Sequence, residues 1–139
     1  MPEHLDQIEL DTGHTIKNIY EVLEKQETTF TPFSEPGIEK CTSKEVDQEA
    51  LHLCRVAWLK LFTKPPQRWV VFRSTKEDAR IGTQRDQFVI PIQIPKTPSY
   101  ITDKSTQQQV ELACGCAVFC AAGKPAAISD GVLFLILSP

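Results

Sequence analysis

Ser105-Thr106-Gln107-Gln108-Gln109-Val110-Glu111-Leu112-Ala113-Cys114-Gly115-Cys116-Ala117-Val118-Phe119-Cys120-Ala121-Ala122-Gly123 decides the fold, because it carries two periods at once. Read as a helix, Ser105 to Gln108 has capping-box spacing. Val110, Cys114, Ala117 and Ala121 then share a face, Leu112, Cys116, Phe119 and Cys120 widen it, and Gly123 is a C′ stop. Read as a strand, Val110, Leu112, Cys114, Cys116, Val118 and Cys120 alternate with Glu111, Ala113, Gly115, Ala117 and Phe119. The alanines, the cap and the terminal glycine favour the helix. With that choice the expected fold class is α+β: two or three helices packed on a mainly antiparallel sheet of about four strands.

Working outward, Asp130-Gly131 is a two-residue hairpin signal, and Val132-Leu133-Phe134-Leu135-Ile136-Leu137 after it reads as a buried strand. Upstream, Phe88, Ile90, Ile92 and Ile94 alternate with Val89, Pro91, Gln93 and Pro95. Because proline donates nothing to a ladder, Pro91 predicts an edge strand or a place on an unpaired side. Arg68-Trp69-Val70-Val71-Phe72-Arg73 is short, β-branched and aromatic, and predicts a strand covered on both faces. The polar connection Ser74 to Gln87 has room for one helical turn.

Thr42-Ser43-Lys44-Glu45 is a capping box, and two stripes follow it: Val46, Ala50, Leu53, Ala57, Leu61 and Leu51, Cys54, Trp58, Phe62. They predict a central helix, stopped by Pro65-Pro66. Residues 27–41 predict a loop. Ile16, Ile19, Tyr20 and Leu23 predict an amphipathic helix to about Gln26, after a strand or arm and the turn at Asp11-Thr12-Gly13. The chain of 139 residues is expected to be a single domain with a flexible N-terminal arm over 1–12.

Composition excludes collagen-like and wholly disordered classes, with 41% hydrophobic and 24% charged residues. The start Met1-Pro2-Glu3-His4-Leu5-Asp6 lacks the basic and apolar regions of a secretory signal. The longest apolar run, Val132 to Leu137, is far below the roughly 20 residues of a membrane span. Five cysteines, an odd number, predict free thiols in a reducing compartment, the cytoplasm with the nucleus left open.

Chemical motifs are sparse. Cys114, Cys116 and Cys120 suggest a zinc site, but on a helix residues two apart point about 200° away from each other, so buried packing is the better reading and no metal is expected. Asp11-Thr12-Gly13 after Ile8-Glu9-Leu10 resembles the catalytic triplet of retroviral-type aspartic proteases, where paired aspartates share a proton to activate water. That family places Ala or Ser where His14 stands, and a turn or cap role is favoured over an aspartic-protease-like enzyme. His4, His14 and His52 fit no hydrolase or zinc-protease spacing, and no phosphate-binding glycine loop occurs. Pro95-Lys96-Thr97-Pro98 has P-x-x-P spacing but reads as a loop.

The net charge of −3 is a cancellation: residues 1–50 carry −8 and residues 51–139 carry +5. Lys60, Lys64, Arg68, Arg73, Lys76, Arg80 and Arg85 crowd into one stretch with Trp69 and Phe72. The expectation is therefore a non-enzymatic interaction or assembly protein working through charge-segregated surfaces and associating with a protein partner or with further copies of itself as a homo-oligomer. Its binding residues would be Lys64, Arg68, Arg73, Lys76, Arg80 and Arg85, with no catalytic residue and no cofactor. The alternative is a nucleic-acid-binding domain that uses Lys60 to Arg85 on RNA or another polyanion.

Overall fold

The computed structural model describes residues 3–10, 17–19, 21, 30–33, 36–42, 44–61, 68–81 and 84–138, the backbone alone over 56–61. Residues 105–123 take the period of two. β7 (Tyr100–Asp103) and β8 (Gln109–Glu111) form a hairpin whose tip is the expected capping box. There the Asp103 Oδ1 accepts from the amides of Ser105 (2.7 Å) and Thr106 (3.3 Å). A turn at Cys114-Gly115, with Gly115 at φ +88°, leads into β9 (Cys116–Cys120).

The remaining strands are β1 (Gln7–Glu9), β2 (Phe30–Pro32), β3 (Ile38–Cys41), β4 (Arg68–Ser74), β5 (Ala79–Arg80), β6 (Gln87–Gln93), β10 (Ala126–Ile128) and β11 (Leu133–Ser138). They build a seven-stranded sheet, β1-β9-β6-β11-β4-β3-β2, and a four-stranded sheet, β5-β10-β7-β8, with every pairing antiparallel. From β4 onward the chain passes repeatedly between the sheets: β4, β6, β9 and β11 enter the large one and β5, β7, β8 and β10 the small one. The α+β expectation of about four strands is thus corrected to a mainly β fold with one substantial helix, α1 (Lys44–Leu61), among the described residues. The reason is non-local: Val118 pairs with both Val89 and Gln7, and these partners outweigh the local helix cues.

The large sheet is covered on both faces, which explains its continuous apolar runs. Toward α1 it turns Val71, Phe88, Ile90, Ile92, Ala117, Phe119, Leu133, Leu135 and Leu137, which pack with Val46, Ala50, Leu53 and Cys54. Toward the small sheet it turns Phe72, Val89, Val118, Cys120, Val132 and Phe134, which meet Ala79, Ile81, Ile101, Ala126 and Ile128. Each fully buried Leu, Ile or Phe contributes on the order of 1.5–3 kcal/mol.

Helix α1 begins inside the Thr42–Glu45 box with Glu45 and Asp47 in its first turn, where acidic groups favour the helix dipole. It covers the large sheet from outside instead of lying centrally: Lys44, Glu45, Asp47 and Gln48 are exposed. Strand β6 lies between β9 and β11, not at an edge. Its Pro91 falls beyond the β9 pairing and beside a register shift at Leu133/Phe134, so the missing amide costs no ladder bond to β9. Asp130-Gly131 is a corner between sheets, joining β10 to β11, and not a hairpin.

Ser74 and Ser129 close that corner. The buried Ser74 Oγ donates to the Ser129 carbonyl at 2.6 Å and accepts from the Val132 amide at 2.9 Å, and the Ser129 Oγ accepts from the Tyr100 amide at 2.9 Å. The first expected helix, the Asp11-Thr12-Gly13 turn and the Pro65-Pro66 stop lie mostly or wholly outside the described residues; 17–19 and 21 are helical. No helix among the described residues is long and apolar enough to cross a membrane.

Candidate functional site

At the end of the sandwich away from the Ser74 corner, the sheets part around a cavity of about 730 Å³. Strand register stacks its lining on the large sheet into three rows. The outermost is polar: Arg68 opposite Ser138, with Gln87 one residue before the Phe88–Leu137 pair. Val70 opposite Ile136 forms the second row and Phe72 opposite Phe134 the third. At about 3.4 Å per residue, the first and third rows are about 13 Å apart.

The facing wall comes from β5 and the approach to β10, with Arg80, Ile81 and Gln84 on one side and Gly123, Lys124 and Pro125 on the other. Phe33 and Ile38, from the β2–β3 hairpin, close the flank; the Phe33 and Phe72 rings meet edge-on at 5.0 Å. Gln87, buried at 2% exposure, donates from Nε2 to the Ile81 carbonyl at 2.5 Å and so ties the large sheet to the end of β5.

The electrostatics of this slot are one-signed. Arg68, Arg80 and Lys124 line it, and among the described residues no Asp, Glu, His or Cys does. Among the described residues none of these three cations is ion-paired. An apolar cavity with unneutralised cations at its rim suits an anion with an apolar portion.

The six basic residues expected to form one surface divide. Arg68 and Arg80 belong to the slot. Arg73 sits on the α1 side of β4, donating from Nε to Glu39 Oε1 at 2.8 Å with its guanidinium 3.9 Å from the Phe30 ring centroid. Lys76 lays its stem over Gly37, Arg85 is an exposed loop residue away from the slot, and Lys64 lies outside the described residues. Trp69 and Phe72 also part: Phe72 is buried between the sheets and Trp69 packs into the α1-side core. Lys124, Gln87 and Ser138 were missed as site residues. A polar residue at each end of an otherwise apolar strand pair, Gln87 opening β6 and Ser138 ending β11, was the available signal.

The remaining candidates do not converge. Cys114 and Cys116 flank a turn and not a helix, which removes the geometric objection to a shared ion. Even so, no three His, Cys, Asp or Glu among the described residues come together. Cys116 and Cys120 share a strand face but stand about 13 Å apart. All five cysteines are free; burial pushes the thiols of Cys54 and Cys120 up to about 12. His4 accepts from the Ala121 amide at Nδ1 (3.1 Å) and holds Nε2 3.2 Å from Asp103 Oδ2, an ion-pair distance without hydrogen-bond alignment. His52 stands 3.5 Å from Glu49 on α1, while Asp11 and His14 lie outside the described residues.

No protein-family profile matches the chain, and no curated protein matches it. Among solved structures it is similar to the viral collagen prolyl hydroxylase of Paramecium Bursaria Chlorella virus-1, determined as its 2OG complex. The TM-score is 0.54 at 7% identity, over 98% of this chain and 95% of that one. This likeness, which is one of fold, runs against the expectation of a non-enzymatic assembly protein and against its nucleic-acid alternative, since the fold resembles that of a known hydroxylase. Non-haem iron oxygenases hold the metal with two imidazoles and a carboxylate on one point. Among the described residues the slot lining offers none of these groups, so the residues present there do not fit that metal. Eight strands divided between two antiparallel sheets, together with this likeness, give the chain a jelly-roll fold similar to the double-stranded β-helix of the 2OG oxygenases.

Proposed function

We propose that the chain is an oxygenase-fold enzyme domain whose working site is the slot between the sheets, and that this site takes a small organic acid. The observation that carries the reading is the lining itself: Arg68, Arg80 and Lys124 without a single acidic neighbour among the described lining residues, around a largely apolar cavity of about 730 Å³. The similar hydroxylase was solved with 2OG, an organic acid, which supports a carboxylate ligand for the slot here. The described lining holds no imidazole or carboxylate that would ligate iron.

The cations lie at an exposed rim, where one unit charge 4 Å from a carboxylate is worth about 1 kcal/mol in water and up to about 4 kcal/mol in a half-shielded site. The lower figure applies, about a five-fold effect on Kd for each cation. Calorimetric titration with a panel of carboxylates, run with wild type and with Arg68→Gln/Arg80→Gln, is the test. A carboxylate that binds the wild type and weakens at least ten-fold in the double variant supports the reading. Carboxylate binding indifferent to both arginines, or no carboxylate binding, overturns it.

A further inference from the structure

We infer that the acid is an amphipathic monocarboxylate: one acid head on an alkyl or aryl body of about ten carbons, bound without a metal ion. This rests on the organic-acid reading above and deepens it. The argument is the order of the rows. On the large sheet Arg68, Ser138 and Gln87 come together at the mouth, and behind them stand Val70 and Ile136, then Phe72 and Phe134. A head group held at the first row therefore directs its body toward the third, about 13 Å away.

With carbon–carbon bonds of about 1.5 Å, an extended ten-carbon acid spans roughly 11–12 Å and reaches the aromatic row. A five-carbon dicarboxylate spans roughly half of that, leaving its second charge against the apolar Val70 and Ile136 of the large sheet. The tilted Phe72–Phe134 pair, with ring centroids 5.9 Å apart, and the edge-on Phe33 supply an apolar seat for the distal end.

The test is calorimetry in excess EDTA with decanoate, decanol, succinate and 2OG, all below micelle-forming concentrations. Wild type and Arg68→Gln/Lys124→Gln are compared; both substituted side chains are exposed, so folding is undisturbed. Decanoate binding at least ten-fold tighter than the other three, and weakening at least five-fold in the variant while decanol stays unchanged, is the expected result. If succinate or 2OG equals or exceeds decanoate, the amphipathic inference falls and the organic-acid site stands. If decanol matches decanoate, or nothing binds, both fall. If decanoate binds only when Fe²⁺ or Mn²⁺ replaces the chelator, the metal-free statement falls.

Discussion

Phe134→Ala tests the two-sheet core and the slot together. Phe134 has no accessible surface, occupies the middle strand of the large sheet, and packs its ring against Phe72 between the sheets. Truncating a buried Phe costs about 3–5 kcal/mol, and loss of an aromatic pair adds about 0.5–1.5 kcal/mol. One side of Phe134 already borders the slot, so part of the new void joins existing open space. The lower end applies, about 3 kcal/mol, which for a domain of this size moves Tm down by roughly 10 °C.

Phe33→Ala is the internal control: it removes a ring that also touches Phe72 but is 44% exposed, and should cost under about 1 kcal/mol. The assay is urea unfolding of both variants followed by far-ultraviolet circular dichroism at fixed pH. A Phe134→Ala loss under about 1 kcal/mol, or equal to that of Phe33→Ala, would refute the burial of β11 between two layers.

Three further outcomes follow from local geometry. Iodoacetamide at pH 8 should modify exposed Cys114 first and leave Cys54 and Cys120 untouched until denaturant is added, since both are buried neutral thiols; peptide mass spectrometry reads the order. Gly37→Ala should destabilise by about 1–2 kcal/mol through its φ of +84°. A Cβ there would also stand 2.5 Å from Lys76 Cγ, so adding Lys76→Ala should recover only the crowding part. The Asp103 carboxyl is held below its usual value chiefly by the Ser105 amide, so its contribution is present above about pH 3.8 and lost as pH falls through its lower folded value. Asp103→Asn should therefore be less stable than wild type at pH 7 and converge with it in acid, as thermal unfolding across pH would show.

What could be read from residues alone was what local chemistry decides. The Thr42–Glu45 box and the Val46, Ala50, Leu53 stripe announced α1, and three apolar runs announced β4, β6 and β11. The Ser105–Gly123 error arose because each helix cue also serves a strand. Ser105 sits in a hairpin tip bound by Asp103, and Gly115 and Gly123 take positive φ in turns. Only partners distant in sequence, Gln7 and Val89 flanking Val118, break the tie. Asp130-Gly131 likewise told that the chain turns but not that it changes sheet. Arg68 and Arg80 were singled out for charge, yet their company in the slot, Lys124 before β10 and Ser138 at the end of β11, lies more than forty residues away.

The place of β11 has a consequence for how the chain is made. The strand pairs β4 on one side and β6 on the other, and among the described residues no other strand joins those two halves of the large sheet. Until residues 133–138 have been synthesised, Val70 to Phe72 and Val89 to Ile92 are two unfinished edges with their apolar faces turned to water. Such long-range closure is slow, and the waiting edges are what chaperones and aggregation compete for. A ribosome stalled just before Val132 should therefore hold an aggregation-prone half-product, and emergence of residues 133–138 should be the step that makes this part of the nascent chain resistant to protease.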